Sequence, residues 1–168
     1  MNSVDLGPTT RCRARRDRLA IFVYAFFLAN SKLEGYPMIR GSCLCGSVRY
    51  EIRGPLGRVT HCHCSMCRKV HGAAFGTYAR VNDAEFAWTQ GEGDIATYRS
   101  SQDVQRTFCR RCGSTLQFIR ESRPEGFALA MGTLDDDPGV RPSRHIFVDS
   151  KAPWFEIHDE LPQHRAYT

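Results

Sequence analysis

Seven of the chain's eight cysteines stand in three tight groups: Cys43 and Cys45, then Cys62, Cys64 and Cys67, then Cys109 and Cys112. Any fold this chain adopts has to reconcile them. An odd count cannot close entirely as disulfides, and C-x-C neighbours bridge each other only with strain. Thiols at knuckle spacing suit a tetrahedral metal, and they persist best in a reducing compartment. The expectation is zinc in a cytoplasmic protein. The eighth cysteine, Cys12, sits apart in the leading segment.

The groups are not equivalent. "CLCGS" at 43 to 47 and "CRRCGS" at 109 to 114 end alike, each pair being followed by Gly-Ser. Glycine after the last cysteine tolerates the left-handed turn that aims backbone N–H groups at thiolates. Two such knuckles, Cys43 and Cys45 with Cys109 and Cys112, make one closed structural site of four sulfurs. That site would clip the start of the body to its middle, so metal binding becomes folding energy.

Cys62, Cys64 and Cys67, in "HCHCSMCRK", are left with an unfilled fourth position. Structural zinc sites are closed, whereas sites that do chemistry keep a place for water or substrate. A shell of three thiolates is soft and accepts another sulfur, so a small thiol is the expected guest. Arg68 and Lys69 follow the last ligand and could offset its surplus negative charge. Two alternatives stay open. His61 or His63 fills the fourth position and closes the site, or the two clusters exchange ligands. Against the first, adjacent residues of an extended segment point opposite ways.

The length of 168 residues suits one domain with a real core. From residue 38 onward the pattern is mostly period two: in "SVRYEIR", Val48, Tyr50 and Ile52 alternate with Arg49, Glu51 and Arg53. Similar runs occur at "AFGTYARV", "AEFAW", "DIATYRS", "VQRTF", "STLQFI", "GFALAMGTL" and "RHIFVDS", broken by turn residues at "RGPLG", "QGEGD" and "DDDPGVRP". At most a helical turn or two follows Cys64. The expectation is all-β, built of short antiparallel strands, as one domain over 38–168.

Residues 1–37 read as an extension outside that fold. They hold an arginine-rich stretch and eleven apolar residues, Leu19 to Ala29, too few to span a bilayer. A signal peptide would export free thiols, so Met38 is the preferred natural start. The rest of the chain carries 17 cations and 15 anions without a basic stripe, which argues against nucleic acid as a partner.

Taken together, "GSCLCGSVRYEI", "HCHCSMCRKVHGAAF", "FCRRCGSTL", "GTLDD" and "HIFVDSKAPWFEIHDELPQ" resemble the glutathione-dependent formaldehyde-activating enzyme family, also called the GFA or CENP-V domain. The resemblance runs in order from about Ile39 to Gln163. It implies a small zinc-bearing β-tent, with structural zinc on Cys43, Cys45, Cys109 and Cys112 and a second, catalytic-type zinc on Cys62, Cys64 and Cys67. The implied reaction is condensation of formaldehyde with glutathione to S-hydroxymethylglutathione, a carbon–sulfur lyase activity, with glutathione as co-substrate.

By residue type, His63, His71 and His145 are candidate proton shuttles, though a lone histidine is more often a hydrogen-bonded structural residue. Asp135 to Asp137 read as a solvated turn, with ammonium or metal binding as the other reading. Trp154 and Phe155 read as core or rim packing. Arg106, Arg110 and Arg111 read as solvated, with glutathione carboxylates as the alternative partner. The competing function is a non-enzymatic zinc module that binds protein or nucleic acid.

Overall fold

A computed structural model describes residues 35–167 of the chain. Cys12 and all but the end of the leading extension therefore lie outside the described residues. Among the described residues there are eleven strands and one α-helix, and no helix is long and apolar enough to cross a membrane. The protein is all-β, as the period-two pattern requires.

Three strands, β1 (Ile39–Ser42), β2 (Arg49–Ile52) and β5 (Phe86–Gln90), form a small antiparallel sheet in the order β1-β2-β5. The larger sheet uses β3 (Val59–Cys62), β4 (Gly76–Asn82), β6 (Ile95–Ser101), β7 (Val104–Cys109), β8 (Thr115–Arg120), β9 (Gly126–Ala130), β10 (His145–Ile146) and β11 (Gln163–His164). Its order is β11-β10-β3-β4-β9-β8-β7-β6. Most pairings are antiparallel, but β10 lies parallel to both β3 and β11. The helix α1 (Ser65–His71) falls directly after Cys64.

Alternation assigns the two faces of the large sheet. Val59, Ala79, Val81, Phe127 and Leu129 point one way and pack with Tyr50 and Ile52 of the small sheet into the main core. Burying each of the Val, Leu and Ile side chains there contributes about 1.5–3 kcal/mol. Phe86 closes the rim of that core edge-on against Phe127, with ring centroids 4.9 Å apart. Thr60, Cys62, Tyr78, Phe118 and Ala128 line a cavity instead. Register places them on the other face, since Thr60 pairs with Tyr78 and Phe118 with Ala128.

Both cysteine pairs turn out to be hairpin tips. Cys43 N–H donates to the Val48 carbonyl at 3.0 Å, closing the β1–β2 turn. Cys109 N–H donates to the Ser114 carbonyl at 3.0 Å, closing the β7–β8 turn. One hairpin belongs to each sheet, so a shared ion would staple the sheets together.

Candidate metal centres and active site

The four sulfurs of Cys43, Cys45, Cys109 and Cys112 all lie within 4.8 Å of one another. Sulfurs about 2.3 Å from a central zinc stand about 3.8 Å apart at the corners of a tetrahedron. The Cys43–Cys45 and Cys45–Cys109 sulfur separations are 3.6 and 3.9 Å, which fits. Gly46 and Gly113 take φ of 72° and 77°, the left-handed turn that knuckles need. The following Val48 N–H donates to the Cys43 sulfur at 3.3 Å. The serines of the two "CGS" endings also join in. The Ser47 hydroxyl lies 3.1 Å from the Cys45 sulfur and 3.4 Å from that of Cys109, and Ser114 Oγ lies 3.3 Å from the Cys112 sulfur.

The second cluster forms where β3 runs into α1. Cys62 ends the strand, Cys64 caps the helix by accepting the Cys67 N–H at 3.4 Å, and Cys67 is buried in the first turn. Their three sulfurs also lie within 4.8 Å of one another. Hydrogen bonds from the Cys62 and Cys67 thiols hold the Cys64 thiol down to about 2. The same contacts, with Cys64 first, push Cys62 far above the ordinary thiol range. Three thiols this close oppose one another's ionisation, so a cation sharing the site favours their thiolate forms. That donor set suits a soft divalent metal.

The histidines lie on the wrong side to close it. Alternation along β3 sends Cys62 and Cys64 to the cavity face and His61 and His63 to the other. His61 Nδ1 lies 2.8 Å from Thr77 Oγ1, and His63 Nε2 lies 2.8 Å from His145 Nδ1. His145 Nε2 reaches Asp159 at 3.0 Å. A carboxylate only accepts, so His145 Nε2–H donates to it and His145 Nδ1 accepts from His63 Nε2–H. His63 Nδ1 is then a bare lone pair, and that atom is buried without a partner among the described residues. Burial first, and then His145, pushes His63 down to about 4, so the ring is neutral at physiological pH.

The three thiols open onto a cavity of about 360 Å³, whose lining includes Arg58, Arg80, Arg106, Arg120 and Arg123. Arg106, expected to be solvated, is only 3% exposed. Its Nη1 and Nη2 lie 4.0 and 3.9 Å from the Cys67 sulfur. Nη1 donates to the Tyr78 hydroxyl at 3.3 Å, so the Tyr78 O–H donates in turn to His71 Nε2 at 2.8 Å. The signal was present in the sequence: period two puts Arg106 on the same face as Val104 and Phe108. Arg106 thus takes the place by the thiols that Arg68 and Lys69 were expected to fill. Arg68 instead donates from Nε to the His63 carbonyl at 3.3 Å, and Lys69 is exposed.

The remaining candidates sit away from the cavity. Asp135, Asp136 and Asp137 accept from Ser42, Arg40 and Arg141 at 2.9, 2.9 and 2.8 Å, so the turn is structural. Arg110 and Arg111 are exposed. Phe155 packs against Phe75 with ring centroids 5.4 Å apart, whereas Trp154, expected to pack, is 71% exposed.

Residues 38–150 match the family model for glutathione-dependent formaldehyde-activating enzyme. The chain belongs to this family. A Halomonas elongata protein named for the same family is 30% identical over 127 residues, covering 71% of this chain and 81% of its own. An uncharacterized lyase of Schizosaccharomyces pombe is 28% identical over 121 residues, covering 72% of this chain and 86% of its own. A crystal structure of a Rhodobacter sphaeroides protein, 25% identical, covers 74% of this chain and 98% of its own with a TM-score of 0.48. The chain thus belongs to the formaldehyde-activating enzyme family and carries two cysteine clusters able to hold metal ions.

Proposed function

We propose that this protein adds a thiol to an aldehyde carbonyl and reverses that addition, with glutathione and formaldehyde as the pair and S-hydroxymethylglutathione as the adduct. In the cleavage direction this is a carbon–sulfur lyase. The observation that carries the reading is the meeting of Cys62, Cys64 and Cys67 at a cavity wall, with His61 and His63 turned to the opposite face.

Cys43, Cys45, Cys109 and Cys112 hold a structural zinc, and Cys62, Cys64 and Cys67 hold a second with one position left for a guest. When bound there, zinc supplies a soft Lewis acid that keeps an incoming thiol ionised near neutral pH. The chain does the rest. Val104, Phe118 and Ile146 give the cavity an apolar wall that keeps water from the reacting carbonyl. Arg58, Arg80, Arg120 and Arg123 give it a positive lining for the carboxylates of glutathione. Residues 38–168 are read as the working domain, and zinc-holding thiolates outside disulfides support a reducing, cytoplasmic setting.

The test uses the zinc-loaded full chain. Calorimetric titration with glutathione is expected to show one site per chain. NMR exchange spectroscopy of a glutathione–formaldehyde mixture is expected to show faster adduct exchange with protein than without. Absence of both would remove the proposal.

A further inference from the structure

We propose that Arg106 is a catalytic residue of this addition, binding the aldehyde oxygen as negative charge develops on it. The inference rests on the thiol–aldehyde reading above and names the group that reading leaves unassigned.

A guanidinium carries five N–H donors and does not give up its proton in proteins. Arg106 uses Nε on Ser100 Oγ at 3.1 Å and one Nη1 hydrogen on Tyr78 at 3.3 Å. Its plane lies over the Phe118 ring, 4.9 Å from the centroid, on the apolar side of the cavity. Its remaining donors, on Nη1 and Nη2, face only the Cys67 sulfur at 4.0 and 3.9 Å, too far for strong bonds. Among the described residues its partners are Ser100, Tyr78, Cys67 and Phe118, and none is a carboxylate.

A buried cation without a carboxylate is costly unless something negative shares its pocket. The thiolates supply part of that charge. The open donors then point to where further charge arises. A carbonyl oxygen seated about 2.9 Å from Nη2 would lie near the Cys67 sulfur, with its carbon within reach of a thiol held at the cluster. Such a preset donor pair, itself buried, strengthens its hold as the oxygen charges, which is how oxyanion stabilisation accelerates a reaction.

The step balances without a co-reactant. The thiol proton leaves to solvent, and a sulfur lone pair forms the C–S bond. The carbonyl π pair moves to oxygen, where the Nη1 and Nη2 hydrogens hold it. As the adduct leaves, the alkoxide takes back from solvent the proton that the thiol released, so thiol plus aldehyde gives hemithioacetal. The lyase direction retraces these moves.

Arg106→Met and Arg106→Lys are compared with wild type at equal zinc content. The expected result for Arg106→Met is a kcat for adduct exchange lower by about 100-fold, the scale of losing an oxyanion donor, with the glutathione Kd within twofold. Arg106→Lys recovers part of the rate, and added methylguanidine raises Arg106→Met at least severalfold. A rate within threefold of wild type, or a glutathione Kd that rises as much as the rate falls, overturns the proposal. The second outcome would make Arg106 a carboxylate anchor. Should the variants lose metal or fold, ¹⁵N-arginine NMR of the wild type decides. The Arg106 Nη signals are expected to shift with the hydroxymethyl adduct and not with glutathione alone; an equal shift with both overturns the assignment. A wild type that neither binds thiol nor speeds exchange defeats the underlying function instead.

Discussion

His63 Nε2 and His145 Nδ1 lie 2.8 Å apart in a buried contact between residues 82 positions apart. His145 is held in turn by Asp159, so the C-terminal loop steadies the β3 segment on which Cys62 and Cys64 sit. The chain of bonds never touches a sulfur; it fixes the backbone that carries them. Replacing His145 with Ala leaves His63 Nε2–H buried with no acceptor, a loss of about 1–3 kcal/mol. His145→Ala is expected to lower Tm by several degrees and to weaken metal retention at Cys62, Cys64 and Cys67. Asp159→Asn, which can still accept from His145, is expected to do much less. Equal melting curves for wild type and His145→Ala would contradict this role.

Much of this architecture is legible in the sequence. The alternation in "SVRYEIR" locates β2, and the shared "CGS" endings foretell the left-handed turns at Gly46 and Gly113. The expectation of at most a helical turn or two after Cys64 matches the seven-residue helix there. β3 was not legible, because Val59, Thr60 and Cys62 are all buried and the segment shows no alternation to read. The run "RHIFVDS" does contain β10, but only two of its residues form a strand, and their parallel pairing with β3 and β11, distant in sequence, is encoded in no local pattern. Arg106 had the right face in the alternation, but a cation in a strand reads as a solvent marker. Its burial depends on Cys67, Tyr78 and Phe118 arriving from three other elements.

The two cysteine clusters differ in what they join, so they should differ in what their loss does. Cys109 sits at the tip that ties one sheet to the other, whereas Cys62, Cys64 and Cys67 all lie within six residues. Cys67→Ser is expected to keep its fold and lose one of two zinc ions. Cys109→Ser gives up a long-range clip and is expected to melt far lower or fail to accumulate, since binding a structural zinc is folding energy of about 10 kcal/mol or more. Elemental analysis beside circular-dichroism melts checks both. Equal zinc loss with equal destabilisation would argue against separate roles.

Ser114 links the two knuckles. Its Oγ accepts the Leu44 N–H at 2.9 Å and lies 3.3 Å from the Cys112 sulfur. Ser114→Ala strands an N–H from one hairpin tip and removes a hydroxyl from a sulfur of the other. The expected loss is about 1–2 kcal/mol, together with a metal affinity about tenfold weaker, the scale seen when a group supporting a ligand is removed. Ser114→Thr, which keeps the hydroxyl, is the control. Chelator competition at fixed pH reads the affinity, and an unchanged value for Ser114→Ala would leave the hydroxyl without a role.

The pH dependence of the cavity side should be read at His71. Burial is the larger cause and the nearby Arg106 cation the second, and both press its pKa below the ordinary 6.5. A ring harder to protonate folded than unfolded contributes stability above pH 6.5, and that contribution is lost as pH falls through its folded value. ¹³C NMR of the imidazole is expected to show a midpoint under 6.5 in the wild type. Arg106→Met removes the cation and should move that midpoint upward, while burial keeps it below the free-histidine value. His71→Gln, which takes the Tyr78 O–H on a neutral amide oxygen, should flatten the fall in Tm between pH 6.5 and 5. A His71 midpoint that stays put in Arg106→Met would mean the guanidinium and the imidazole do not share the low-dielectric pocket drawn by Tyr78.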